Sequence, residues 1–147
     1  MEWFNKEDYE SRYYRAIYDW YAGPIYGIFE IKEQNYLFTV LESSIMLADM
    51  LAPDDLATTD MADLDANASY FLVKLSNDDI NELNKTRNLA RFYRDLPVDR
   101  IQVLDAKKIT FRSPTVEETR ILLSGKLPLV NDFITNEKLP KDSILVR

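Results

Sequence analysis

The sequence predicts an α+β fold in a single domain: an N-terminal aromatic helix packed on an antiparallel sheet, with short helices towards the C-terminus. Three observations carry this. Two capping boxes, Ser76 with Asp79 and Thr115 with Glu118, each open a short amphipathic run. Several β-branched and aromatic runs are bounded by turn residues, as strands require. A chain of 147 residues with 46% apolar side chains can fill a core without disulfide or metal staples.

The elements follow in order. Residues 5–22 read as a helix: Asn5 can cap it, Asp8 complements its positive end, and Gly23-Pro24 stops it. Tyr9, Tyr13, Ile17 and Trp20 fall on one stripe at helical spacing, and Tyr14, Tyr18 and Tyr21 on an adjoining one. Asp8 to Arg12 and Arg15 to Asp19 are spaced as i,i+4 ion pairs. Ile25–Ile31 and Tyr36–Leu41 read as a hairpin, joined by Lys32-Glu33-Gln34-Asn35. Ser43–Leu51 reads as a short helix, and residues 52–68 as an acidic loop, the segment best suited to being mobile or inserted.

Tyr70–Leu75 is a strand, and Ser76 with Asp79 opens a helix over residues 77–85. Leu89–Leu96 is helical up to Pro97. Arg100–Leu104 and Ile109–Arg112 are strands around the turn Asp105-Ala106-Lys107. Thr115 and Glu118 open a helix that closes at Gly125, followed by a helix at Leu129–Thr135 and a strand at Ser143–Val146. Ser76, Ile80, Leu83, Leu89 and Tyr93 echo Thr115, Thr119, Leu122, Leu129 and Phe133 with a one-residue shift, as two related β-α-α units would.

Within that echo, Tyr70–Tyr93 combines a strand ending in Ser, a short acidic helix, a turn and a Leu-x-x-x-aromatic helix. In this it resembles small uncharacterised bacterial and phage domains. The resemblance implies a bacterial or phage origin and carries no activity with it.

Composition excludes much chemistry. Without cysteine there is no disulfide, thiolate zinc site or cysteine nucleophile, and without histidine no imidazole base or Ser-His-Asp triad. Ser124-Gly125-Lys126 lacks the rest of a phosphate loop. Asp63, Asp65, Asn67 and Ser69 match the alternate positions of a calcium loop. The obligatory Gly is Ala68, however, and the bidentate acid is Lys74. The pairs Asp54-Asp55, Asp78-Asp79 and Glu117-Glu118 suit helix starts better than a shared catalytic site. No cofactor and no metal site is expected. The N-terminus has no secretory signal, and no segment approaches a membrane span, so a cytoplasmic location is expected.

Charge is the positive signal. The chain carries -7, distributed as -2 over residues 1–32, -8 over 33–73, +3 over 74–126 and zero over 127–147. The acidic window holds no lysine or arginine. Its candidate partner-binding acids are Asp49, Asp54, Asp55, Asp60, Asp63 and Asp65. A dense run of carboxylates can occupy a cationic groove that otherwise takes nucleic acid. A second candidate surface is the stripe Tyr14, Tyr18 and Tyr21, since twelve of the eighteen aromatic residues lie in positions 3–38. Basic residues Lys85, Arg87, Arg91 and Arg94 near Phe92 and Tyr93 would suit single-stranded nucleic acid, but the acidic balance argues against it. The expected function is a non-catalytic acidic binding or inhibitory protein working by protein–protein contact, in an immunity or anti-defence role. The alternatives are a carboxylate enzyme using magnesium or calcium, and a structural homo-oligomer.

Overall fold

The computed structural model describes residues 3–20, 24–41, 68–124 and 127. Its centre is an antiparallel meander of six strands in which every neighbour in sequence is a neighbour in space. The strands are β1 (Tyr13–Trp20), β2 (Pro24–Ile31), β3 (Gln34–Val40), β4 (Ser69–Leu75), β5 (Ile101–Asp105) and β6 (Thr110–Arg112). Helix α1 (Lys6–Glu10) precedes the sheet. Helices α2 (Asn77–Thr86) and α3 (Leu89–Arg94) lie between β4 and β5, and α4 (Val116–Ser124) follows β6.

Both faces of the sheet are buried, which is why its strands read as near-continuous apolar runs. Register shows how. Ala16, Ile28, Leu37, Val73 and Ile101 form one row across five strands, at most 2% exposed. That face packs against Leu83 of α2, Leu89, Phe92 and Tyr93 of α3 and Leu122 of α4. On the other face Tyr14, Phe29, Tyr36 and Lys74 form a row covered by Trp3 and Phe4. Trp3 stacks on Tyr36 at 5.8 Å between centroids, and the Lys74 ammonium sits 5.0 Å from the Trp3 ring. Phe4 meets Tyr36 and Phe111 edge-on.

The N-terminal helix exists, but it is shorter than residues 5–22. Asn5 caps it in a full capping box with Asp8, and it ends at Glu10. It packs on the sheet through Tyr9, which meets Phe29 edge-on. Residues 13–20 are strand β1. Register shifts between Tyr14 and Ala16, and again between Ile17 and Asp19, break the strand's period of two. A bulged strand carries apolar residues at irregular intervals, and here these coincide with helical spacing. Charged side chains here reach other elements, and the Asp19 side chain of the expected Arg15–Asp19 pair lies outside the described residues. Asp8 pairs with Lys32, Arg15 with Glu30, and the Arg12 guanidinium lies between the rings of Tyr9 and Tyr14.

Gly27 has a specific reason. A Cβ there would lie 2.2 Å from the Ala16 carbonyl oxygen and 3.0 Å from the Phe38 ring, so only glycine lets β1 approach this closely. The β2–β3 turn is tighter than expected: Lys32 and Glu33 alone span it, both with positive φ. That backbone is the one a two-residue hairpin turn demands.

The strand at Tyr70–Leu75, both capping boxes, the helix pair at 77–94 and the two strands around residues 105–109 stand as expected within a residue or two. The expected elements at Ser43–Leu51, Leu129–Thr135 and Ser143–Val146, and all of the loop at 52–68 except Ala68, lie outside the described residues. So do Leu129 and Phe133 of the second half of the internal echo. Among the described residues, no helix is long and apolar enough to cross a membrane.

Candidate functional site

The acidic window is anchored at one end of the sheet. Strand β3 ends at Val40, which pairs with Tyr70 of β4, and the Leu41 N–H donates to the Ser69 carbonyl at 2.9 Å. The chain therefore leaves at Leu41 and returns at Ala68 between two adjacent, hydrogen-bonded strands. Two residues suffice to join such strands. The intervening residues 42–67 number twenty-six and carry seven acids, Glu42 and the six aspartates at 49, 54, 55, 60, 63 and 65, with no lysine or arginine. Their charge of -7 equals that of the whole chain, so the rest is balanced at eighteen acids and eighteen bases. Asp49, Asp54, Asp55, Asp60, Asp63 and Asp65 all lie outside the described residues.

The return point is held from the neighbouring strand. The Ala106 N–H donates to the Ala68 carbonyl at 3.0 Å, and Ser69 pairs with Asp105. The β5–β6 turn therefore sits beside this root. The Asp105 side chain accepts the N–H groups of Lys107 and Lys108, which shapes the turn. Ile109 completes it with φ 52°, a strained value for a β-branched residue, while its side chain is 5% exposed in the core.

Of the expected tyrosine stripe, Tyr18 is buried and Tyr14 half-buried. Tyr14 and Tyr18 would share a face on a helix or on a regular strand, but the register shift between Tyr14 and Ala16 separates them. On β1 they join opposite faces of the sheet. Tyr14 packs edge-on against Phe38 and accepts a hydrogen bond from Arg12 Nε at 2.9 Å. Tyr18 is 2% exposed, and burial, with Tyr93 nearby, drives its phenol pKa far above the ordinary value. Tyr21 lies outside the described residues. Phe92 and Tyr93 are likewise core residues, and the Tyr93 hydroxyl shares a 2.6 Å hydrogen bond with Thr39. Both rings are almost wholly buried, so neither presents an open face for a base to stack on.

At the opposite end of the sheet lies a cleft of about 470 Å³ between α2 and α3. Helix α2 contributes Asp79, Glu82, Lys85 and Thr86, and α3 and its exit contribute Arg91, Phe92, Asp95 and Leu96. Sequence reasoning found Asp79 as a cap but not this cleft. The missing fact is Arg100, whose guanidinium returns from the start of β5. It grips the Asp79 carboxylate at 2.7 and 3.3 Å and donates to the Lys74 carbonyl at 2.8 Å. Burial raises the Asp79 pKa, but the hydrogen bonds from Arg100 and Ser76 outweigh it and hold the carboxyl below its ordinary value.

Three ion pairs of the basic region are made within that region: Arg100 with Asp79, Arg112 with Glu118, and Arg120 with Glu117. No group of three or more acidic side chains among the described residues is placed to hold a metal ion. The fold and these sites define an α+β protein, a six-stranded meander with a long acidic excursion at one end and a charged cleft at the other. Compared with protein-family models, curated proteins and solved structures, the chain matches none.

Proposed function

We propose that this is a non-catalytic binding protein of the cytoplasm, acting by protein–protein contact through the acids of residues 42–67. Its partner would present a cationic surface of the kind that holds nucleic acid. One observation carries the reading: a run of twenty-six residues holding the chain's entire net charge joins two strands that need only a short turn. Connections this long between paired strands are uncommon, and functional segments are one of their ordinary uses. A segment with seven carboxylates and no lysine or arginine is complementary to a groove built for phosphates and steers association with it. The resemblance of Tyr70–Tyr93 to bacterial and phage domains suits an immunity or anti-defence role.

The test compares the natural chain with one in which Asp49, Asp54, Asp55, Asp60, Asp63 and Asp65 are all asparagine. Each is immobilised and exposed to extract from cells that produce the protein, at low and at high salt. The reading expects a specific partner that only the natural chain captures, and only at low salt, because exposed charges are screened beyond a Debye length. Equal capture by both chains in both salts contradicts it. So does turnover of a substrate that depends on added magnesium or calcium.

A further inference from the structure

We propose that the cleft between α2 and α3 binds a small zwitterion: an ammonium and a carboxylate one residue or two apart, joined to an apolar side chain. The cleft's volume of about 470 Å³ lies within the usual range for small-ligand sites, about 300–1,000 Å³. Its charges fall into two groups. Asp79 and Arg100 saturate one another through two hydrogen bonds, and Arg100 spends a further donor on the Lys74 carbonyl. They close one end of the cleft as a neutral pair. Glu82, Lys85, Arg91 and Asp95 behave differently. None of the four has a side-chain hydrogen bond or ion pair among the described residues, although two carboxylates and two cations line one cavity.

Opposite charges that line a cleft without meeting leave room for a ligand that meets both. Glu82 stands on the α2 wall and Arg91 on the α3 wall. A ligand of one sign would satisfy half of the set and be repelled by the rest. A zwitterion satisfies Glu82 and Asp95 with its ammonium, and Lys85 and Arg91 with its carboxylate. Phe92, Leu96 and Pro97 supply the apolar part of the lining, which suits an aliphatic side chain. The site lies on elements distant in sequence from residues 42–67, so it stands or falls independently of the acidic reading.

The test is calorimetric titration and thermal unfolding of the full chain with four probes: L-leucine, leucyl-leucine, N-acetyl-L-leucine and L-leucinamide. Leucine or leucyl-leucine should give saturable binding and raise Tm by about 2–4 °C near saturation. Preference for the first indicates a free amino acid, and for the second the ends of a short peptide; either supports the proposal. The acetylated and amidated probes, each lacking one charge, should bind about tenfold more weakly or worse. Glu82→Gln and Arg91→Gln should weaken the zwitterion similarly while leaving the unliganded Tm within about 1 °C, since neither side chain holds a partner in the fold. Absence of saturable binding by both zwitterions overturns the proposal. Equal binding of the singly charged probes, or undiminished binding by both variants whose unliganded Tm is unchanged, overturns it as well.

Discussion

Helices α2 and α4 begin with the same device and use it differently. In both, a hydroxyl residue and an acid three positions on exchange hydrogen bonds: Ser76 with Asp79, and Thr115 with Glu118. In both, the capping acid also accepts two hydrogen bonds from one arginine. For α4 that arginine is Arg112, six residues upstream, and the arrangement stays local. Val116 in its first turn is 88% exposed. For α2 the arginine is Arg100, twenty-one residues downstream, and the same guanidinium reaches the Lys74 carbonyl at the end of β4. One cap only starts a helix; the other ties β4, α2 and the start of β5 together beside the cleft. A capping motif thus reports where a helix begins but not how much tertiary structure hangs from it.

Removing the arginines separates the two most sharply. Arg100→Ala should cost about 2–3 kcal/mol in denaturant unfolding, because it strands a half-buried carboxylate and a carbonyl together. Arg112→Ala should cost less, about 1 kcal/mol, because the Arg112 side chain is half-exposed and its hydrogen bonds stay local. Equal losses would erase the distinction. Removing the hydroxyls is milder: Ser76→Ala and Thr115→Ala should each cost about 0.5–2 kcal/mol, with the larger loss at Ser76.

Acid gives the smallest and most specific contrast. The hydrogen bonds from Arg112, with those of Thr115, lower the Glu118 pKa from 4.5 to about 2. A carboxyl with a lowered folded pKa stabilises the native state above its unfolded pKa and loses that contribution as pH falls through the folded value. The Glu118 contribution is therefore whole at neutral pH and disappears between about pH 4.5 and pH 2. In Arg112→Ala the Glu118 carboxyl should move back towards 4.5, as followed by NMR titration of its side-chain carbon; an unmoved value would show that the arginine is not the cause.

The same division explains what the sequence made legible. Caps, the hairpin at 24–40 and the strands at 69–75 and 101–112 rest on local signals, and they stand where the residues put them. Residues 13–20 mislead because register shifts interrupt the strand's alternation, so that Tyr13, Ile17 and Trp20 fall at helical spacing. The roots of the acidic segment at Leu41 and Ala68 are likewise invisible until β3 and β4 are seen to be paired. The cleft depends on Arg100 reaching back to Asp79, a contact that no spacing rule announces.

The central claim is that the carboxylates of residues 42–67 take the place of nucleic acid on a partner. It is tested most directly by competition. A partner captured by the natural chain is challenged with increasing duplex DNA and, separately, with an uncharged polymer at the same mass. The account predicts that DNA releases the partner in proportion to its concentration and that the uncharged polymer does not. A partner that stays bound under saturating DNA, or that forms a ternary complex with it, contradicts the claim.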